Sequence, residues 1–163
     1  MSFSPETAIP ALLLVLLAAA CITDLHSRII PNTIPVLVVL LFVVALVLWP
    51  AFRVDSLWHV AAFGVAFAIG FVLFAMGVMG GGDVKLFAAL ALFHNLSTLG
   101  LLALTTSIAG AGVALIFAGI DFVKARSAGK GDGLSADLRT AMKARIPYGV
   151  GIFFGQLWTM AIT

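Results

Sequence analysis

Three consecutive glycines followed at once by an acid, Gly80-Gly81-Gly82-Asp83-Val84-Lys85, interrupt a chain that is otherwise almost continuously apolar. In a helix interior each glycine costs about 1 kcal/mol relative to alanine, so the run predicts a turn rather than a packing surface. A carboxylate flanked by apolar runs is costly in or beside a bilayer, and ionisable groups in such places mark function by default. The stretch predicts a fold that holds Asp83 in place and brings a second acid to it.

The surrounding composition sets the class. Of 163 residues, 63% are hydrophobic and 10% charged, and the mean hydropathy is +1.20. A soluble domain carries about a quarter charged residues. The chain is therefore expected to be an all-α, polytopic integral membrane protein. About six transmembrane helices are expected, at 7–23, 33–49, 57–79, 84–95, 99–123 and 146–162, in one membrane-embedded domain spanning 1–163. The segment at 84–95 is short for a core of about 30 Å, so its helix is expected to begin inside the membrane or to end at the polar cluster His94-Asn95. The stretch 124–145 is the one long polar segment, and its second half, 135–145, is expected to form a helix lying on the membrane surface. Gly64, Gly70 and Gly77 in the third span, Gly110, Gly112 and Gly119 in the fifth, and Gly151 and Gly155 in the last allow close helix approach.

Cysteine and charge exclude several classes. Cys21 is the sole cysteine, so neither a disulfide framework nor a CxxC zinc site can form. It is expected to be a buried small hydrophobe. The lipoprotein reading of Ala18-Ala19-Ala20-Cys21 lacks the usual Leu or Val three positions before the cysteine. The first seven residues hold no Lys or Arg and carry Glu6, unlike a secretory leader. A net charge of +2 and a pI near 9.0 do not point to nucleic acid, because basic residues in a membrane protein mark its cytoplasmic loops.

Six spans place Arg28, Lys85, Lys124, Arg126, Lys130, Arg139, Lys143 and Arg145 on one face and Arg53 alone on the other. By the positive-inside rule the first face is cytoplasmic and both termini lie outside. Asp24 and Asp83 then share the cytoplasmic face, each where a helix meets the membrane edge. Glu6 and Asp55 fall on the far side, and Asp121, Asp132 and Asp137 in or beside the polar stretch.

Two close carboxylates cannot both ionise and share a proton, which suits one to activate a water and the other to polarise a scissile carbonyl. Glycines beside them would let an extended substrate strand approach the backbone. The bland alternative makes the two acids boundary residues, with Arg28 and Lys85 as positive-inside charges. Another makes Asp24 and Asp83 ion or proton sites of a small carrier or channel, and a third makes the chain a scaffold subunit of a secretion machine. His26, His59 and His94 are scattered, and neither HExxH nor a GxSG-like serine motif is present.

These residues resemble a known family. Gly80-Gly81-Gly82-Asp83 matches the GxGD signature of intramembrane aspartyl proteases, and Val84-Lys85-Leu86 resembles its prepilin peptidase version. Asp24-Leu25-His26-Ser27-Arg28-Ile29-Ile30-Pro31-Asn32 is similar to that family's first motif, an acid and a basic residue before Ile-Pro-Asn. Ile146-Pro147-Tyr148-Gly149-Val150 resembles its C-terminal motif. Together the three, in the family's order, resemble type IV prepilin peptidases, most closely the small form of tight-adherence (Flp-type) pili. The resemblance implies an aspartic-type endopeptidase of the bacterial inner membrane. It would remove the basic leader of prepilins and pseudopilins at the cytoplasmic face, with Asp24 and Asp83 catalytic. Gly80, Gly81, Gly82, Lys85, Arg28, Pro147, Tyr148 and Gly149 would shape the site. Larger members carry a CxxC zinc segment and methylate the new terminus. This chain has no such segment, so no metal or other cofactor and no methyl transfer are expected.

Overall fold

A computed structural model describes residues 5–127 and 148–162. The expected surface helix at 135–145 and Pro147 lie outside the described residues. Among the described residues seven helices follow in order: α1 (Pro5–Ser27), α2 (Thr33–Leu48), α3 (Pro50–Val54), α4 (Ser56–Ala75), α5 (Gly81–Ala91), α6 (Leu96–Ser127) and α7 (Tyr148–Ile162). No strand occurs among the described residues. In lipid every backbone polar group must be satisfied within the segment, and helices meet that demand.

Among the described residues three helices are long and apolar enough to cross a membrane, over Thr7–Ser27, Ser56–Ala75 and Leu96–Ile120, while Thr33–Leu48 and Tyr148–Ile162 are shorter and apolar. Their outer faces carry large exposed apolar side chains, among them Val36, Leu40 and Val47 on α2, Phe67 and Phe71 on α4, and Leu115 and Ile116 on α6. Contiguous apolar surface of this extent suits lipid and not water. The chain is an all-helical membrane protein.

The bundle is organised around its shortest apolar helix. At ~1.5 Å per residue, the 11 residues of α5 extend about 16 Å, half of a bilayer core. Leu86, Ala88, Ala89, Leu90 and Ala91 on it are all at most 1% exposed. It packs on α2 and α4, while α7 packs on α6 and α1. The α4–α5 connection is a tight turn in which Gly77 takes φ +72 and Val78 N–H donates to Leu73 O at 2.9 Å. Below it Gly70 admits Val84: a Cβ at Gly70 would stand 2.8 Å from Val84 Cγ1.

The α6–α7 contact is made by backbone against backbone. A Cβ on Gly151 would meet Gly110 Cα at 2.7 Å, and one on Gly155 would meet Thr106 Cα at 2.5 Å. Small residues four apart allow helices to approach this closely in membranes. Thr105 and Thr159 bond across the same interface at 2.8 Å.

Several expectations are corrected. The glycine run is only partly a turn, since Gly80 is the extended N-cap of α5 while Gly81 and Gly82 form its first turn. The first N–H groups of a helix lack intrahelical partners in any case, so glycine costs less there than in the interior. Cys21 is half-buried, not buried. The connection after α2 contains the short helix α3, from which Arg53 Nε donates to Leu46 O at 2.6 Å and Nη2 donates to Val47 O. That arginine satisfies carbonyls at the C-terminus of α2, where a cation suits the helix dipole. The sixth helix runs to Ser127, beyond the expected limit at 123.

Candidate active site

Asp24 lies in the last turn of α1 and is 5% exposed. The helix ends three residues later, at Ser27. Arg28 takes φ 54, and its N–H donates to Asp24 O at 2.9 Å. Positive φ is uncommon outside glycine, and here it turns the chain abruptly so that Ile30 folds back into the interior, 6% exposed. Ile30 lands on Gly82. A Cβ at Gly82 would stand 3.2 Å from Ile30 Cβ and 3.3 Å from Ile30 O. Two residues further on, Asn32 Oδ1 accepts a 3.0 Å hydrogen bond from Lys85 Nζ. The segment after Asp24 is thus fitted onto the first turn of α5, which carries Asp83.

Asp83 is 9% exposed and occupies the first turn of α5, where the helix dipole favours an acid. Its carboxyl folds back toward the helix N-terminus, so that a Cβ on Gly80 would stand 2.6 Å from Asp83 Oδ2. This residue precedes the 84–95 segment and lies outside the three helices long enough to span. Burial pushes its carboxyl up from 3.8 to about 7. The charge of Asp24 adds to the rise, and the backbone N–H groups of Gly80 and of Asp83 itself oppose it. Its Oδ1 is buried and, among the described residues, has no hydrogen-bond partner.

The third element is α7. Gly149 N–H donates to Asp24 Oδ2 at 2.7 Å. A Cβ at this position would be 2.9 Å from that oxygen and 3.0 Å from Asp24 Cβ. The absence of a side chain is what lets the α7 backbone reach the carboxylate. Tyr148, one residue earlier, is half-buried and faces a cavity of about 440 Å³ between α4 and α6, lined also by Gly70, Met79, Leu99, Thr106 and Gly110.

Of the residues singled out in the sequence, Asp24, Gly80, Gly82, Asp83 and Gly149 converge, while Gly81 faces the Phe74 ring. Lys85 touches the site, among the described residues, through Asn32, Arg28 is exposed and turns the chain with its backbone while its charge acts on Asp24, and Tyr148 belongs to the cavity. Among the described residues no three His, Cys, Asp or Glu side chains gather as a metal site requires.

The sequence also concealed a second buried polar group. His59 Nδ1 lies 3.0 Å from His94 O, and His94 Nε2 lies 2.9 Å from Gln156 Oε1. Two histidines that looked scattered are joined to each other and, through Gln156, to α7. The sole signal available beforehand was their polarity within apolar stretches.

No curated protein and no solved structure matches the chain. A model of the type IV leader peptidase family matches residues 11–119, a stretch that includes Asp24, Asp83 and the Ile30–Gly82 fit. By that match over more than half its length, the chain belongs to the type IV leader peptidase family.

Proposed function

We propose that this leader peptidase is an aspartic-type enzyme whose reactive pair is Asp24 and Asp83. It would cut prepilin-type substrates between a basic leader and an apolar helix. The observation that carries the reading is the meeting of three distant segments at two buried carboxyls: Gly149 N–H on Asp24 Oδ2, Ile30 on Gly82, and Asp83 within reach of the Asp24 charge.

The division of labour follows from the two environments. Asp24 Oδ2 accepts the Gly149 N–H while Asp83 Oδ1 has no partner among the described residues; the N–H stabilises a carboxylate at Asp24, which serves as base toward a water. Asp83 keeps the shared proton and directs it at the scissile carbonyl oxygen. Water loses a proton to Asp24 as its oxygen bonds to the carbonyl carbon, while Asp83 gives its proton to the carbonyl oxygen. Collapse of this gem-diol breaks the C–N bond. Asp24 then delivers its proton to the departing nitrogen, and Asp83 regains one from a hydroxyl of the intermediate. The pair again holds a single proton.

The cavity beside Tyr148 supports a seat for the apolar residues that follow the scissile bond. It is lined almost wholly by apolar side chains, and Met79 and Tyr148 adjoin Gly80 and Gly149 in sequence. The eight basic residues on the Asp24 and Asp83 face of a six-span arrangement support a cytoplasmic site in the bacterial inner membrane, with both termini outside.

The test is leader removal from a prepilin-type substrate in membranes containing the full chain. Asp24→Asn and Asp83→Asn should each abolish it while the protein still inserts. Normal processing by either variant would remove that residue from the pair. Solute uptake into vesicles that depends on both acids, without cleavage, would instead favour a carrier.

A further inference from the structure

The buried chain His59–His94–Gln156 has no part in the proton transfers above, yet it joins α7, whose Gly149 bonds Asp24, to the turn that follows α5, the helix of Asp83. An amide oxygen and a backbone carbonyl only accept hydrogen bonds. His94 Nε2–H must therefore donate to Gln156 Oε1, and His59 Nδ1–H to His94 O. His94 and Gln156 are 8% and 3% exposed. In a low-dielectric interior, breaking such a bond leaves both groups without compensation.

The placement of these residues matters more than their strength. Gly149, which holds Asp24, and Gln156 are seven residues apart on α7, two turns along one face and about 10 Å in rise. His94 follows Asp83 by eleven residues and lies in the turn three residues past the end of α5 at Ala91, so the two are separated by the length of that helix. Thus α7 grips α1 at one point through Gly149 and the far end of α5 at another through Gln156. α5 otherwise packs mainly on α2 and α4, and only sparsely on α7. The His94–Gln156 contact is the side-chain hydrogen bond between them among the described residues. From the α4 side, His59 holds the same point. Its ring stacks on Phe52 at 4.8 Å, with Phe42 at 5.8 Å.

We propose that His94 and Gln156 are positioning residues: their bond sets the axial register of α5 against α7, and with it the height of Asp83 opposite Asp24. The inference rests on those two acids being the reactive pair. A register slip of about 1 Å would break the bond, and misplacement of that size costs on the order of 100-fold in rate.

The experiment uses the full chain in vesicles and a fluorogenic peptide with a basic leader, a glycine and an apolar run. Gln156→Leu and His94→Phe should each lower kcat roughly 10- to 100-fold with KM nearly unchanged. Gln156→Glu, whose oxygen still accepts, should restore most of the rate. In a separate Cys21→Ser background, thiols at Asp24→Cys and Asp83→Cys should couple readily through a short bifunctional reagent, and several-fold more slowly once Gln156→Leu is added. If Gln156→Leu does not insert, Gln156→Asn withdraws the oxygen by one methylene and gives the same readouts. Unchanged kcat and unchanged coupling in an inserted Gln156 variant would overturn the proposal. Coupling requires no catalysis, so it tests register even if Asp24→Asn cleaves normally, an outcome that would overturn the reactive pair instead.

Discussion

Gly149 and Asp24 are 125 positions apart in the chain, and the backbone N–H of one sits 2.7 Å from a carboxylate oxygen of the other. The contact joins the last described helix to the first, and it needs a residue without a Cβ. Gly149→Ala would place a methyl group 2.9 Å from Asp24 Oδ2, and the carboxyl or the helix must move. The expected result is a kcat reduced roughly 10- to 100-fold, with normal insertion. Gly64→Ala is the control, since nothing lies within 4 Å of a Cβ at that position. Steady-state cleavage of a leader peptide by the two variants decides it, and equal rates would show that Asp24 tolerates displacement.

The α6–α7 seam that carries Gly149 to its place makes a separate prediction. Gly155→Ala sets a Cβ 2.5 Å from Thr106 Cα, and Gly151→Ala sets one 2.7 Å from Gly110 Cα. The obstructing atoms are backbone, so no rotamer change relieves them. Each substitution should destabilise the folded protein by about 1–3 kcal/mol. Gly112→Ala and Gly119→Ala, whose Cβ positions are open, should instead stabilise by up to about 1 kcal/mol, because alanine is the better helix former. Thermal unfolding in detergent ranks the four variants, and a stable Gly155→Ala protein would show that the seam can open without cost.

Much of this was legible in the sequence because the chain is so apolar. Asp24 and Asp83 stood out against their surroundings, and the basic residues fixed which helix ends belong together. The pairing of Gly149 with Asp24 was not legible: proximity of the third motif was implied by resemblance, but a specific N–H on a specific oxygen depends on how α7 packs on α6. The seam itself depends on Gly151 and Gly155 facing Thr106 and Gly110, a rotational register that composition does not encode. The same reason hid His59, His94 and Gln156, which meet only after α4, α5 and α7 are assembled. α5 starts three residues before the expected 84, at Gly81, because the helix-interior cost of glycine does not apply in a first turn.

Asp83 gives the site a pH signature. Its carboxyl is raised from 3.8 to about 7 in the folded protein, first by burial and then by Asp24. Between those values the folded state binds more protons than the unfolded state, so stability falls as pH rises. The contribution is complete below the ordinary carboxylate range and is lost as pH passes through about 7. Catalysis should follow the same limb, because the pair works with one shared proton and titrates as a unit. The cleavage rate is therefore expected to decline above about 7. Asp83→Asn should flatten the fall in unfolding temperature between pH 5 and 8, values that bracket most of that titration. A rate that climbs steadily to pH 9 would be incompatible with a shared proton, since about 7 is where the pair gives it up.

The hydrogen bond from Lys85 Nζ to Asn32 Oδ1, 3.0 Å long and exposed, ties the segment that follows Asp24 to the helix that carries Asp83. An exposed polar bond contributes about 0.5–1.5 kcal/mol or less to stability, so neither Lys85→Met nor Asn32→Ala should alter unfolding much. Their effect should appear in turnover instead, because the bond holds the two acid-bearing segments against each other while Ile30 packs on Gly82. Each substitution is expected to lower kcat/KM by a factor of roughly 3–10, equivalent to about 0.7–1.4 kcal/mol. The double variant should be no worse than either alone, since residues that act through one bond are not additive. Lys85→Arg, which keeps a donor of similar reach, should retain most of the rate. The measurement is a double-mutant cycle on leader cleavage. Strictly additive losses would mean that Lys85 acts through a partner other than Asn32, with the substrate leader or lipid headgroups as the first to test.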